Sequence, residues 1–218
     1  MTTETMNISP LIPNHEFSHA ASDERLAAVA EALRGNGMAT IVVPDAEAAR
    51  EQVLDLLPPG AEVFTATSAT LTATGLAAAI NESGRYEAVR ARFAGLDPTN
   101  PDHRSEMRKL GTAPDYVVGS VHAITEQGEV MVVSYGGSQL APYVYGAGHV
   151  IWVVGSQKLV ADLDEGMRRV REYCYPLEDA RLRGLRGMPS GIGKVLIVNH
   201  EAIPGRITVV LIKEALGF

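Results

Sequence analysis

Cysteine is nearly absent. The one thiol among 218 residues, Cys174, allows no disulfide within the chain and no cysteine cluster for zinc or iron–sulfur. It lies in an apolar helical pattern and reads as a small buried hydrophobe. Long apolar runs are missing too, with no stretch near the roughly 18 residues of a membrane span. Met1 to Pro13 has no basic start followed by an apolar segment, so it does not read as a secretory signal, and the expected location is cytoplasmic. Basic residues are in the minority: 19 Lys and Arg against 26 Asp and Glu, a formal charge of −7. With no basic stripe, this argues against nucleic acid as a partner. Small anions stay open, because a pocket needs only one or two local cations.

Repeats and low-complexity linkers are also missing. A chain of this length that is 46% hydrophobic suits one domain. Such a domain buries roughly 70% of the surface its unfolded chain exposes. Residues 1–21 read as an irregular N-terminal arm and 22–218 as a single domain.

What is present alternates between β-branched runs and amphipathic helices. Ser22 is placed to cap a helix whose Leu26, Val29, Ala30 and Leu33 share a face, and Gly35-Asn36-Gly37 stops it. Met38 to Val43 reads as a buried strand, Asp45 caps the next helix, and Ala61 to Thr65 is a second strand. Strand, helix and strand with short links predict a parallel pair with a right-handed crossover. Helices are expected over 71–80, 86–93 and 104–110, and strands over 115–121 and 130–134. Gln139 to Tyr145 predicts a short helix and His149 to Val154 a strongly buried strand. Asp162 to Tyr175 is the cleanest helix, with Leu163, Met167, Val170 and Cys174 as its buried stripe. Its acids come first and Arg168, Arg169 and Arg171 later, matching the helix dipole. A basic helix follows Pro176, then strands over 195–199 and 207–211. The fold class is α/β.

Four segments could carry chemistry. His15-Glu16-Phe17-Ser18-His19 fits H-E-x-x-H, but no third ligand follows at a suitable offset and no sheet precedes it. It reads as a chance match, and no metal is expected. The loop Thr65-Ala66-Thr67-Ser68-Ala69-Thr70 leads from a strand into a helix. Its free N–H groups and hydroxyls suit an anion, and equally suit ordinary capping. Thr67, Ser68 and Thr70 are its candidate ligand residues.

The third is the glycine-rich block from Gly119 to Ser138. Gly128 permits a tight turn, and Gly136-Gly137 allows a ligand close to the backbone beside Ser138. On an extended strand His122 and Glu126 share a face. Glu126 is either a solvated turn residue or a base or nucleophile. The fourth is Gly155-Ser156-Gln157-Lys158, where Lys158 is placed to meet an anion at a strand's C-terminal end. His149 and His200 read as structural, and the run Arg181, Arg183, Arg186 as a solvated helix face.

Several of these runs together resemble the LUD (lactate-utilisation) domain family. They are Thr67-Ser68-Ala69-Thr70-Leu71, Gly119 to Glu126, Val153 to Val160, Pro176-Leu177-Glu178 and Gly205-Arg206-Ile207-Thr208. The resemblance runs from about Ser22 to Phe218. It implies a fold similar to the NagB/RpiA/CoA-transferase group, with a mainly parallel sheet flanked by helices, and a link to oxidation of lactate to pyruvate. Larger LUD proteins carry Cys-rich iron–sulfur segments, and this chain has none. It therefore resembles the stand-alone C-type component, with no cofactor of its own and electrons passing through iron–sulfur partner proteins.

Three functions follow as expectations. One is binding of a small anionic metabolite at the strand ends. A second is CoA-transferase-like catalysis on a CoA-linked or phosphorylated substrate, since Glu126-Gln127-Gly128 looks similar to the glutamate–glycine pattern of that group's nucleophile. The third is an interaction module without catalysis. A homo-oligomer stays open.

Overall fold

The computed structural model describes residues 11–218, so residues 1–10 of the expected arm lie outside the described residues. The rest of the arm is docked rather than loose. Asn14 opens a single 3-10 turn, His15–Ser18, and its side-chain amide donates to Glu172 at 3.0 Å. His15 meets the Tyr173 ring edge-on, and Phe17 lies under Arg168. The two histidines of the H-E-x-x-H run thus sit around a docking turn and not on an α-helix.

Asp23–Gly35 (α1) is capped by Ser22, and Ala39–Val43 (β1) follows a left-handed Gly37. Asp45 caps Ala46–Leu56 (α2), which leads to Glu62–Thr65 (β2). The helix expected over 71–80 is two helices, Ala69–Ala73 (α3) and Leu76–Asn81 (α4). Gly75 breaks it at φ +71°, a conformation other residues resist. Half of the helix expected over 86–93 forms, as Val89–Arg92 (α5), and Glu87–Ala88 before it is a strand (β3). β3 seals the open edge of β2, and pairing there overrides helix propensity.

Pro101–Thr112 (α6), Tyr116–Gly119 (β4), Ala123–Thr125 (β5) and Val130–Ser134 (β6) come next. A π-helical turn, Pro142–Gly146, precedes His149–Gly155 (β7) and Leu159–Val160 (β8). Leu163–Arg169 (α7) and Tyr175–Arg186 (α8) flank a second π turn, Val170–Cys174. Helical backbone therefore runs through Pro176, where the sequence predicts a break. Pro176 stands in the first turn of α8, where its missing N–H is tolerated beside the irregular π turn. Lys194–Val198 (β9) and Ile207–Ile212 (β10) complete the chain.

The main sheet has the order β1-β10-β7-β4-β2-β3, and every pairing in it is parallel. β1 and β2 share that sheet but are not neighbours, which corrects the expected adjacent pair. The reason is burial. β7 and β10 are apolar on both faces and take the centre, while β1, with exposed Ala39 and Val42, takes an edge. Along β7 the side chains alternate. Val150, Trp152 and Val154 pack toward α1 and the second sheet, and Ile151 and Val153 toward α2, α3 and α4.

The second sheet is mixed, in the order β8-β5-β6-β9. Its outer face packs Met131, Val133 and Val160 against the α7 helix and Val170. These layers define an α/β protein built on a mainly parallel sheet. No helix among the described residues is long and apolar enough to cross a membrane.

Candidate functional site

Because the strands of the main sheet are parallel, their C-terminal ends lie along one edge, where ligands of open α/β sheets gather. Thr67 and Ser68 follow β2, Ser120 and His122 follow β4, and Lys158 follows β7. A cavity of about 370 Å³ opens there. Val133 and Ser134 of β6 form one side, and Val170, Cys174, Glu178 and Arg181 form another. Those four share a face because the spacing returns every helical turn.

The floor depends on a missing side chain. A Cβ on Gly119 would collide with the Tyr143 hydroxyl and stand 3.0 Å from Ala66 Cβ. Only glycine there admits the phenol. Tyr143 comes from the first π turn and meets Trp152 edge-on, with ring centroids 5.5 Å apart. Buried Arg206 clamps this turn, donating to the carbonyls of Pro142, Tyr143 and Ala147, and pairs with Glu201 at 2.7 Å. Tyr143 lines the cavity, and its buried hydroxyl donates to no acceptor. Burial pushes its ionisation above the ordinary phenol range, so it is a neutral donor.

His122 accepts from the Val133 N–H through Nδ1 at 3.1 Å, which leaves the proton of a neutral ring on Nε2. Neutrality is enforced. Burial first, then the charges of Lys158 and Arg169, pull its pKa down to about 3. Beneath the cavity, Lys158 is wholly buried, and Nζ donates to Thr70 Oγ1 and Ser120 Oγ, each at 2.9 Å. Those hydroxyls donate onward to the Leu216 and Val153 carbonyls, so their oxygens are free to accept. Burial, with Arg169 adding to it, brings the Lys158 pKa down to about 7.

Arg169 is equally buried. It donates to the Gln157 and His122 carbonyls and to Cys174 Sγ, and its Nη2 has no partner. Among the described residues, no carboxylate pairs with Lys158 or Arg169. Around the floor the Tyr143 hydroxyl, His122 Nε2–H and Arg169 Nη2 keep donors without an acceptor, and Arg169, together with the protonated form of Lys158, is buried positive charge. Such charges are ordinarily paired.

The structure places the sequence candidates in two groups. Thr67, Ser68, His122, Gly136 and Ser138 line the cavity, with Thr70 and Lys158 directly beneath it. The other three sit elsewhere. Gly137, at φ +92°, lies against the Lys194 side chain. Gly128, at φ +80°, packs on α1, where an added Cβ would come 2.8 Å from the Ala32 carbonyl carbon. Glu126 is half exposed and pairs with Arg25 at 3.0 Å. The expected shared face of His122 and Glu126 does not form. β5 ends at Thr125, and the turn closed by Gly128 N–H to the Thr125 carbonyl carries Glu126 to the surface.

Sequence reading missed Tyr143, Arg169, Glu178, Arg181 and Arg186. Arg169 does not serve the helix dipole from the surface as expected, since it points into the core. Arg181 and Arg186 line the cavity rather than a wholly solvated face, although Arg183 does turn outward to pair with Asp179. Helical spacing from Cys174 through Glu178 to Arg181 was the available signal.

The family model of the LUD domain matches residues 26–212. The chain belongs to the LUD domain family, a family associated with lactate utilisation. It is similar in fold to a DUF162 family protein from Deinococcus radiodurans, known from its crystal structure. The identity is 14%, the TM-score 0.53, and the match covers 89% of this chain and 99% of that one. No curated protein matches the chain.

Proposed function

We propose that this chain binds a small organic anion in the cavity beside β2, β4 and β7. The observation that carries the reading is the pair of wholly buried basic groups, Lys158 and Arg169, with no carboxylate partner among the described residues. An anion at the floor supplies the missing charge. The Tyr143 hydroxyl and His122 Nε2–H supply its hydrogen bonds, and charge-assisted bonds of this kind are the stronger ones. Such binding would serve lactate utilisation, with iron–sulfur proteins as redox partners.

Thermal denaturation in lactate, pyruvate and other small organic acids tests this. Ligand at about 100 times its Kd adds about 2.7 kcal/mol of stability, an upward Tm shift of several degrees at this size. Lys158→Met is expected to abolish the shift. Absence of any shift across the organic acids sinks the reading.

Glu126 beside Gly128 carries a second reading, CoA-transferase-like catalysis. Its half-exposed carboxylate is reachable by a large CoA ester. Loss of acyl transfer from a CoA thioester in Glu126→Gln, with the fold intact, would establish it.

A further inference from the structure

Two arginines, Arg181 and Arg186, line the cavity and a third, Arg90, stands beside it, and they are not equivalent. Arg181 is neutralised by Glu178 through two hydrogen bonds of 2.6 and 2.7 Å. Arg186 lines the cavity and pairs with no carboxylate among the described residues. Arg90 stands next to the cavity wall. Its Nε donates to the Thr65 carbonyl at 2.8 Å and its Nη2 to Thr67 Oγ1 at 2.9 Å, and Thr67 lines the cavity.

Arg90 is held in that place by packing, with its guanidinium over the Phe64 ring at 5.1 Å and beside Phe93. Of its five N–H donors, these bonds use two. It too has no carboxylate partner among the described residues. Burial lowers its pKa first, and the charge of Arg186 lowers it further, so the two guanidiniums feel one another. Like charges brought together at a cavity mouth repel, and a shared oxyanion relieves the repulsion. A guanidinium fork suits a carboxylate or phosphate in particular.

This mouth pair is separate from the floor. Lys158 and Arg169 lie beneath Ser120 and His122, while Arg186 is at the far end of α8 and Arg90 on α5. Basic groups on separate elements thus flank a space of about 370 Å³, enough for an organic acid of several carbons. We propose that the ligand is a small organic acid with two anionic groups, one at the floor and a terminal oxyanion, carboxylate or phosphate, held at the mouth between Arg90 and Arg186. The inference rests on the anion-binding reading above and names its ligand class.

Calorimetric titration at constant ionic strength tests it with three probes: lactate, malate and 3-phosphoglycerate. At least one of the two multiply charged acids is expected to bind tenfold or more tighter than lactate. Malate as the tighter ligand assigns a carboxylate to the mouth, and 3-phosphoglycerate a phosphate. Arg186→Gln is expected to weaken that acid about tenfold and lactate less than threefold. Arg50→Gln, which removes one exposed positive charge on α2 away from the cavity, is expected to change neither. Lactate binding as tightly as both others overturns the inference and leaves the anion-binding reading standing. So does an Arg186→Gln loss equal for all three, or the same loss in Arg50→Gln. No binding of any of the three defeats both.

Discussion

Lys158 is the most constrained side chain of the site. Its amine is enclosed, faces Arg169 and Cys174, and is held by two hydroxyls. The folded pKa of about 7 lies below the ordinary 10.5, so between these values the unfolded chain binds a proton that the folded chain does not. Stability then rises with pH, by at most about 1.4 kcal/mol per unit for one group. Cys174 acts in the opposite sense. Burial pushes its thiol above the ordinary 9.0, so its contribution falls as pH rises past 9. The clean window is therefore pH 7 to 9. Urea midpoints should climb across it in the natural protein and stay flat in Lys158→Met, and equal slopes would refute the assignment. His122 works lower. Its pKa of about 3 against 6.5 makes stability rise with pH between those values.

Two glycines separate packing from binding at the same scale. Gly128→Ala strains a positive φ and presses on the α1 backbone. It should cost more than about 1 kcal/mol without changing ligand affinity, which chemical denaturation and titration together will show. Gly119→Ala displaces Tyr143 and should lose both stability, by about 1–3 kcal/mol, and affinity.

At the scale of elements, the two π turns aim the site. The first presents Tyr143 and is clamped by Arg206, which pairs with Glu201 where both are nearly inaccessible. Arg206→Met leaves that carboxylate unpaired and takes one donor from each of three backbone carbonyls. A loss of about 3–5 kcal/mol is expected, with partial recovery in Arg206→Met/Glu201→Gln. A loss under 1 kcal/mol by urea denaturation would show that the turn holds itself. The second π turn lets one helical run carry Val170, Cys174, Glu178 and Arg181 along a single wall. Neither turn was legible in the sequence. A π turn is one residue of slack in an otherwise helical pattern, and only the neighbours it packs against select it. The strand runs were legible because β-branched residues cluster in them, and the Ser22 and Asp45 caps because their side chains answer to local geometry.

For the whole molecule, strand order is the governing fact. β10, near the end of the described chain, sits between β1 and β7. β1 therefore has no partner in the main sheet until the last strand arrives. A chain ending at Pro204 should lose its cooperative thermal transition, as followed by circular dichroism. Retention of a sharp transition would mean that β1 finds another partner.

The glycine block, the Thr67 loop and Lys158 were each visible in the sequence as polar groups at strand ends, and so was the α/β class, since alternating apolar runs and capped helices are local properties. Which of those groups meet was not visible. Glu126 left the cavity because a turn one residue past β5 reversed its direction. Tyr143 entered it because a π turn and a glycine made room for it, and Arg169 came to lie beneath its floor. Such choices depend on contacts between residues far apart in the chain, and only the packed structure contains those contacts.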